Sequence, residues 1–176
     1  QIRVRDTSAA NCISRSNIDG TQLQSAIPNI TSPSLRCVSV LANGDIQLNW
    51  VGSIDTAQYF DGYNVYHSTN PAGPFTNIGF VSNYNANTFT HVGANGQNVI
   101  NYYYLTTSAG CDAASVDEST PPSDTLASML LTANNPTVGF ANISWTPLSA
   151  PLPATSSGIY NVYRRIPPTV AWTFIG

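Results

Sequence analysis

The chain has 176 residues, of which 42% are apolar and only 9% charged, and this charged share is half or less of the usual one. Its net charge is −3, it has no lysine, and its arginines are scattered. Nucleic-acid partners select clustered Lys and Arg, so we expect none. No apolar run reaches the roughly 20 residues of a membrane-spanning helix, and we expect no membrane insertion. This composition favours an extracellular β protein.

The first 31 residues contain a segment that returns later in the chain. Residues 4–12 (VRDTSAANC) match residues 104–111 (YLTTSAGC) with one residue inserted. Repeats are the first feature to look for in a sequence because they define the fold. We therefore expect residues 1–31 to be the C-terminal tail of a preceding repeat.

Residues 32–126 have the period of two that is typical of strands. In the first predicted strand one face carries Leu35, Cys37 and Ser39, and Asn43-Gly44 then marks a hairpin turn. Further strands are predicted at 63–67, 75–81, 88–92, 100–108 and 123–130. One face of the second predicted strand carries Ile46, Leu48 and Trp50, and the same alternation continues in the third with Tyr63, Val65 and His67. These residues predict one complete β-domain.

Residues 127–176 repeat the first half of that domain. Residues 139–145 (GFANISW) match 44–50 (GDIQLNW), 160–163 match 63–66 (YNVY), and 172–176 (WTFIG) match 75–79 (FTNIG). The offset of roughly 95 to 97 residues is the size of one sandwich domain. Half a sandwich cannot cover its apolar face, so we expect further protein, or a partner chain, to complete this repeat.

The Trp that ends the second strand, the YNVY segment, the GPF at 73–75 and the tyrosines at 102–104 together resemble fibronectin type III domains. The resemblance implies an all-β fold of tandem antiparallel β-sandwich repeats, the first and last of them incomplete. It also implies a tyrosine corner at Tyr102, although residues 97–99 (QNV) lack the usual Leu. The core residues that it implies are Trp50, Tyr63, Tyr102, Trp145 and Tyr160.

A narrower resemblance rests on three phrases: NYYYLTTSAGC at 101–111, PPSDTLASMLL at 121–131, and SNIDG at 16–20 ahead of CVSV. They are similar to the giant repetitive surface adhesins of Bacteroidota of the gliding-motility type, which the type IX secretion system exports. The resemblance implies an extracellular, cell-surface location. It also implies neighbouring repeats, secretion or motility machinery and surface polysaccharide as partners.

The sequence carries no recognisable catalytic or cofactor motif. His67 and His91 lie on separate strands, without a nucleophile elbow or metal-site spacing around them, and we expect a structural role and no enzyme. The acidic residues Asp112, Asp117 and Glu118, with Asp124 beyond them, lie in a predicted loop. A calcium site, a ligand-binding loop and a plain solvated loop are all open interpretations, and the last is favoured.

The cysteines are Cys12, Cys37 and Cys111. In a fibronectin-III-like sandwich, Cys37 and Cys111 fall toward the same pole, and an exported protein keeps such a bond oxidised. The resemblance thus implies a disulfide between them, with buried free thiols as the alternative. Cys12 is then expected to pair outside the segment.

Modification sites follow from the adhesin resemblance. Bacteroidota O-glycosylate Asp-Thr and Asp-Ser motifs, which makes Thr56, Thr125 and Thr7 candidates, with an ordinary turn as the alternative. Asn29 and Asn142 begin N-glycosylation sequons. We expect a bacterial source to leave both bare.

Aromatic side chains offer an alternative function. Tyr59, Phe60, Tyr84 and the tyrosines at 102–104 could form a sugar-binding platform, in which Tyr103 is the one strand residue expected to be exposed. Core packing is the default for the others. The favoured function is a spacer repeat of a large cell-surface adhesin or filament for attachment and gliding motility. The alternative is a ligand- or carbohydrate-binding accessory module of a secreted multidomain protein.

Overall fold

The computed structural model describes residues 3–5, 13–15, 30–56, 58–110, 118–147, 157–166, 168 and 171–176. Every regular element within these ranges is a β-strand, and all strand pairs are antiparallel. The predicted all-β class is confirmed. Over the same ranges no helix is long and apolar enough to cross a membrane.

Strands occur in all three parts of the chain. Near the N-terminus β1 (Arg3–Arg5) pairs with β2 (Ile13–Arg15). The strands of the central repeat are β3 (Ser34–Val40), β4 (Ile46–Val51), β5 (Phe60–Ser68), β6 (Thr76–Val81), β7 (Thr88–His91), β8 (Tyr102–Ala109), β9 (Glu118–Ser119) and β10 (Leu126–Ala127). The strands that follow are β11 (Leu131–Thr137), β12 (Phe140–Trp145), β13 (Tyr163–Arg164) and β14 (Thr173–Phe174).

The central repeat is a two-sheet sandwich. One sheet has the order β3-β4-β7, and the other has the order β10-β8-β5-β6 with β9 also paired to β8. Side chains from both sheets share one apolar core, as the two layers of a sandwich must. Its buried members are Leu35, Ile46, Leu48, Trp50, Tyr63, Val65, Ala94, Tyr103, Leu105 and Leu126.

Local sequence accounts for the first hairpin. Ile46, Leu48 and Trp50 are buried, while the polar residues between them point away from the core. The turn into β4 needs a left-handed residue, which glycine supplies at φ 87° in Gly44. The equivalent Gly139, in the turn between β11 and β12, has φ 90°.

Strand register repeats along the chain as well. Val38 faces Leu48 in β3–β4 and Ala133 faces Ile143 in β11–β12. Both members of the pair are displaced by 95 residues (133 − 38 and 143 − 48). The repeated sequence therefore forms the same hairpin twice.

A second register recurs at a slightly larger offset. Tyr66 faces Asn77 in β5–β6, and Tyr163 faces Phe174 in β13–β14, so both members are displaced by 97 residues (163 − 66 and 174 − 77). These registers agree with a tandem repeat. The predicted domain limits 1–31, 32–126 and 127–176 stay predictions.

Strand β3 departs from the predicted alternation. The register shifts between Leu35 and Cys37, which is a β-bulge. An extra residue in one strand moves the side chains beyond it to the other face. Leu35 is buried, Cys37 is exposed, and Val38 packs against the core. The expectation that Leu35 and Cys37 share a face is wrong for this reason.

The tyrosines of β8 have the opposite orientation to the one expected. Tyr103 pairs with His67 and Leu105 with Val65, and cross-strand partners point to the same face. Tyr103 is accordingly 0% exposed, whereas Tyr102 is only partly buried. The predictions of a core Tyr102 and an exposed Tyr103 are therefore wrong.

The other implied core residues lie in two equivalent aromatic pairs. Trp50 and Tyr63 are buried, with ring centroids 5.4 Å apart at 66°. Trp145 and Tyr160 are partly buried, with centroids 5.6 Å apart at 55°. The same aromatic contact thus recurs in the second hairpin region.

Truncation of the central core residue of β4 tests this packing. We expect Leu48→Ala to lower the free energy of unfolding by about 2–5 kcal/mol, because it leaves a cavity between the sheets. Gln47→Ala, the neighbour on the opposite face, is the control and should change it by no more than about 0.5 kcal/mol. Urea unfolding followed by tryptophan fluorescence measures both. Equal losses for the two variants would contradict the assigned orientation of β4.

Candidate functional site

A pocket opens at the pole of the sandwich where β4 ends and β5 begins. It has a volume of about 360 Å³ and is lined by Asp55, Gln58, Phe60, Ser82 and Tyr84. These residues come from the β4–β5 connection, the start of β5 and the segment after β6. Loops at the end of a sandwich are where such proteins commonly bind ligands.

Tyr84 is held in place by hydrogen bonds at both its hydroxyl and its backbone. Its Oη donates to the Ser53 carbonyl (2.9 Å) and accepts from the Asp55 N–H (3.3 Å). Its carbonyl accepts from the Tyr63 hydroxyl (3.1 Å), whose oxygen accepts in turn from the Ser53 N–H (3.2 Å). The ring is nevertheless 42% exposed. It is a rigid, accessible aromatic surface.

Asp55 and Phe60 complete the fixed part of the pocket. The Phe60 N–H donates to Asp55 Oδ2 (2.8 Å), and the backbone of Asp55 forms a bridge with Ile30. The Phe60 ring meets Tyr84 at a centroid distance of 5.1 Å and an angle of 73°. This edge-to-face geometry is a favourable one for aromatic pairs.

Gln58 has an unusual backbone conformation at the rim of the pocket. Its φ is 62°, in the left-handed region that costs a residue with a side chain about 1–2 kcal/mol. The side chain is exposed. Strained backbone that the surrounding structure maintains is found frequently at binding sites.

The charge of the pocket restricts its ligands. Among the described residues, its lining contains one carboxylate, one amide and one aliphatic hydroxyl, and no Arg or His. An anionic ligand would find no cationic partner here. The arrangement suits a neutral molecule that has hydroxyl groups and an apolar face.

The acidic loop predicted from sequence is largely outside the described residues, because Asp112 and Asp117 fall in the gap at 111–117. The backbone of Glu118 pairs with Ala109 in β9–β8, and Asp124 is exposed. Within the described ranges no cluster of three or more His, Cys, Asp or Glu side chains is placed to bind a metal. Calcium binding by this loop stays a prediction.

Cys37 is a free, exposed thiol. Its Sγ lies 3.3 Å from Ser39 Oγ, on the outward side that the β3 bulge creates. The predicted disulfide with Cys111 therefore finds no support. Cys111 itself, like Cys12, lies outside the described residues.

The candidate glycosylation sites differ in access. Thr56 is exposed beside the pocket, whereas Thr125 is partly buried just before β10. Asn142 is exposed within β12. Thr7 and Asn29 lie outside the described ranges. Occupancy of these sites stays a prediction.

The structure brings together two residues that the sequence analysis treated separately. His67 of β5 and His91 of β7 belong to opposite sheets, and their ring centroids are 4.8 Å apart. His91 is paired with the buried Ile46, and His67 with Tyr103. Strand alternation placed His67 in line with Tyr63 and Val65. The sequence did not indicate that these two strands approach each other across the sandwich.

Comparisons with known proteins concern the fold. No protein-family model matches the chain, and a search of curated proteins found no match. A Fn3-like protein from Clostridium thermocellum is 21% identical over 56% of this chain and 91% of its own, with a TM-score of 0.42. Pectate lyase Pel3 from Pectobacterium carotovorum is 23% identical over 61% of this chain and 28% of its own, with a TM-score of 0.41. The chain's own strand order and shared core make its central repeat a fibronectin-III-like β-sandwich.

The hydroxyl of Tyr63 links the core to the pocket and makes stability depend on pH. Burial raises the pKa of Tyr63 above its usual 10.0, so the folded state disfavours the phenolate. This stabilising contribution is complete below pH 10 and is lost as the pH rises from 10 through the higher folded-state pKa.

We therefore expect the free energy of unfolding to fall above pH 10, and to fall less steeply in Tyr63→Phe. At neutral pH this variant should be about 1–3 kcal/mol less stable, because the Ser53 N–H and the Tyr84 carbonyl lose their partner. Urea unfolding at several pH values measures both effects. Tyr59→Phe, at a more exposed ring, is the control, and identical pH profiles for Tyr63→Phe and the parent would contradict this role.

Proposed function

We propose that this chain is a spacer segment of a large extracellular, cell-surface adhesin or filament that serves attachment and gliding motility, with no catalytic role. The fibronectin-III-like fold establishes only the architecture. The observation that carries the spacer function is the short, hydrogen-bonded connection from the central repeat to β11. The adhesin context rests on the phrase-level resemblance at 101–111 and 121–131.

The connection leaves very little free chain. On the central side, Ser128 donates its N–H to the Asn101 carbonyl (2.8 Å) and accepts from the Asn101 N–H at its hydroxyl (2.9 Å). On the other side, the Leu130 N–H donates to Thr146 Oγ1 (2.9 Å), and the Thr146 N–H donates to the Leu130 carbonyl (3.1 Å). Only Met129 lies between the two anchored residues.

The N-terminal entry to the central repeat is anchored too. Thr31 and Ile54 exchange two hydrogen bonds, from Thr31 N–H to the Ile54 carbonyl (3.0 Å) and from Ile54 N–H to Thr31 Oγ1 (2.8 Å). Ser32 Oγ donates to the Pro121 carbonyl (2.8 Å). A flexible linker lets two neighbouring segments take many relative orientations, whereas a short, anchored linker restricts them to few. A stalk that must stay extended needs anchored connections of this kind.

The stiff connection predicts coupled motion of the central repeat and the β11–β12 hairpin. We expect ¹⁵N relaxation of the full chain to give one rotational correlation time for residues 34–110 and 131–146. Inserting Gly-Ser-Gly-Ser after Met129 should give the hairpin a shorter correlation time. The same insertion after Pro71, in the exposed turn between β5 and β6, is the control and should leave the hairpin coupled. Independent motion in the parent chain would contradict the spacer proposal.

The adhesin context has its own measurement. The denaturing mass of the native polypeptide in its source cells should be several hundred kilodaltons if these residues belong to a giant repetitive protein. A native mass near 19 kDa would contradict that proposal, while leaving the stiffness of the connection to be decided by relaxation.

A second candidate function is supported by the pocket at 55–84: a neutral-saccharide-binding module of a secreted multidomain protein. Phe60 and Tyr84 supply apolar aromatic surface, and Asp55, Gln58 and Ser82 supply polar groups around it. Ligand sites combine these features, and the volume of about 360 Å³ is at the small end of the range for such sites. A mono- or disaccharide unit is the occupant of matching size and chemistry.

Gln58 separates binding from stability. In Gln58→Gly the left-handed backbone costs nothing, which offsets the roughly 0.5–1 kcal/mol entropic cost of glycine. We expect this variant to be as stable as the parent but to lose affinity for a saccharide. NMR titration with cellohexaose, xylohexaose and laminarihexaose measures binding. Thr90→Ala, on the exposed face of β7, is the control, and binding unaffected by Gln58→Gly would contradict a saccharide site here.

A further inference from the structure

We propose that His67 and His91 together bind one divalent transition-metal ion of the zinc and copper class, and that this ion bridges the two sheets of the central repeat. The site lies at the pole of the sandwich opposite the Tyr84 pocket, where β5 and β7 end and β8 begins. It is separate from the proposed spacer and saccharide functions.

Strand positions bring the two imidazoles together. His67 is the penultimate residue of β5, and His91 is the last residue of β7, in the facing sheet. The ring centroids are 4.8 Å apart at an interplanar angle of 66°. Both side chains are partly exposed, so an ion can reach them from solvent. They are the two histidines of the whole sequence.

In each ring, one nitrogen forms a hydrogen bond that fixes the orientation of the ring and so leaves the other nitrogen for the ion. His67 Nε2 lies 2.7 Å from Asn101 Oδ1, and the amide of Asn101 donates to the Val99 carbonyl (2.8 Å). Because that amide orientation leaves Oδ1 as an acceptor, His67 Nε2 carries the proton and donates it. Nδ1 of His67 therefore has the free lone pair.

His91 is oriented in a similar way by a tyrosine. Its Nδ1 lies 2.9 Å from the hydroxyl oxygen of Tyr103, and with the ion bound Nδ1–H donates to that oxygen. Nε2 then has the free lone pair. Metal-binding histidines almost always hold their second nitrogen in such a hydrogen bond. The hydrogen-bond partners Asn101 and Tyr103 lie two residues apart in the chain, so one short segment holds both rings.

The spacing of the rings suits a shared ion. With a metal–nitrogen bond of about 2.0–2.1 Å, an ion lies roughly 3.2 Å from each ring centre. Centres that are 4.8 Å apart then subtend roughly 100° at the ion, between the angles of tetragonal and tetrahedral coordination.

A nearby carboxylate favours a cation at this site. The Asp45 carboxylate interacts electrostatically with His91. Asp45 is fixed by the Gly93 N–H at Oδ1 (2.7 Å) and by the Asn43 amide at Oδ2 (2.6 Å). A fixed negative charge near His91 attracts a divalent ion.

Two protein ligands leave the remaining coordination positions to water. Among the described residues no third His, Cys, Asp or Glu joins the pair, so affinity is expected to follow the order Cu²⁺ above Zn²⁺ that imidazole sites show. Mg²⁺ and Ca²⁺, which prefer oxygen, should not bind. An ion that binds the folded state and not the unfolded state stabilises the fold. The unfolding temperature should therefore rise with the free metal concentration.

The test uses the tag-free full chain after EDTA treatment, titrated with ZnCl₂ and CuSO₄. We expect one ion per chain by calorimetry and a higher unfolding temperature with either metal. The chain has two histidines, so every imidazole NMR signal comes from His67 or His91. Zn²⁺ should shift the signals of both. MgCl₂ should change neither signal.

Variants distinguish this pair from other ligands. His67→Gln and His91→Gln should each lose the one-to-one binding, and Tyr103→Phe, which keeps the buried ring, should weaken it by about 10- to 100-fold. Cys37→Ser is the matched control and should bind like the parent. Unchanged imidazole signals in the parent at millimolar zinc, or an affinity in both histidine variants equal to that of the parent, would overturn the proposal.

Discussion

The ring of Tyr63 lies between Trp50 and Phe60, with centroid distances of 5.4 Å and 4.7 Å, and its hydroxyl reaches the end of the sandwich. There it accepts from the Ser53 N–H and donates to the Tyr84 carbonyl. One side chain thus joins the contact between the two sheets to the loops at the pole. Through the Ser53 N–H and the Tyr84 carbonyl, this side chain connects two of the segments around the pocket to the core.

The two ends of the central repeat have different chemistry as a result. Antiparallel pairing places the start of β5 beside the end of β8, and the end of β5 beside the start of β8. The first end presents aromatic rings with an amide, a hydroxyl and a carboxylate. The second presents His67, His91 and the buried Tyr103.

This separation is compatible with a protein that works as part of a series. A spacer needs anchored connections and a core that unfolds cooperatively. The connection through Met129 is anchored on both sides, and the core draws on both sheets. A metal ion bridging β5 and β7 would add a link across the sandwich, and a saccharide at the Tyr84 pocket would add a contact with surroundings. The proposed metal ion and the proposed saccharide would thus bind at different places on the same fold.

The sequence by itself determined what local periodicity controls. The alternation of Ile46, Leu48 and Trp50 predicted the inward face of β4, Asn43-Gly44 predicted its turn, and the offsets of 95 and 97 predicted registers that recur in β11–β12 and β13–β14. Side-chain alternation and turn conformation depend on neighbouring residues, so a single sequence contains them.

Tertiary structure alone decided the features that depend on distant residues. The bulge in β3 turned Cys37 outward, and the pairing of β8 with β5 buried Tyr103 instead of Tyr102. The approach of His67 to His91 and the closing of the pocket around Tyr84 join segments more than 20 residues apart. Register shifts and sheet-to-sheet contacts are set by how complete layers pack, because a one-residue slip reverses every side chain that follows it.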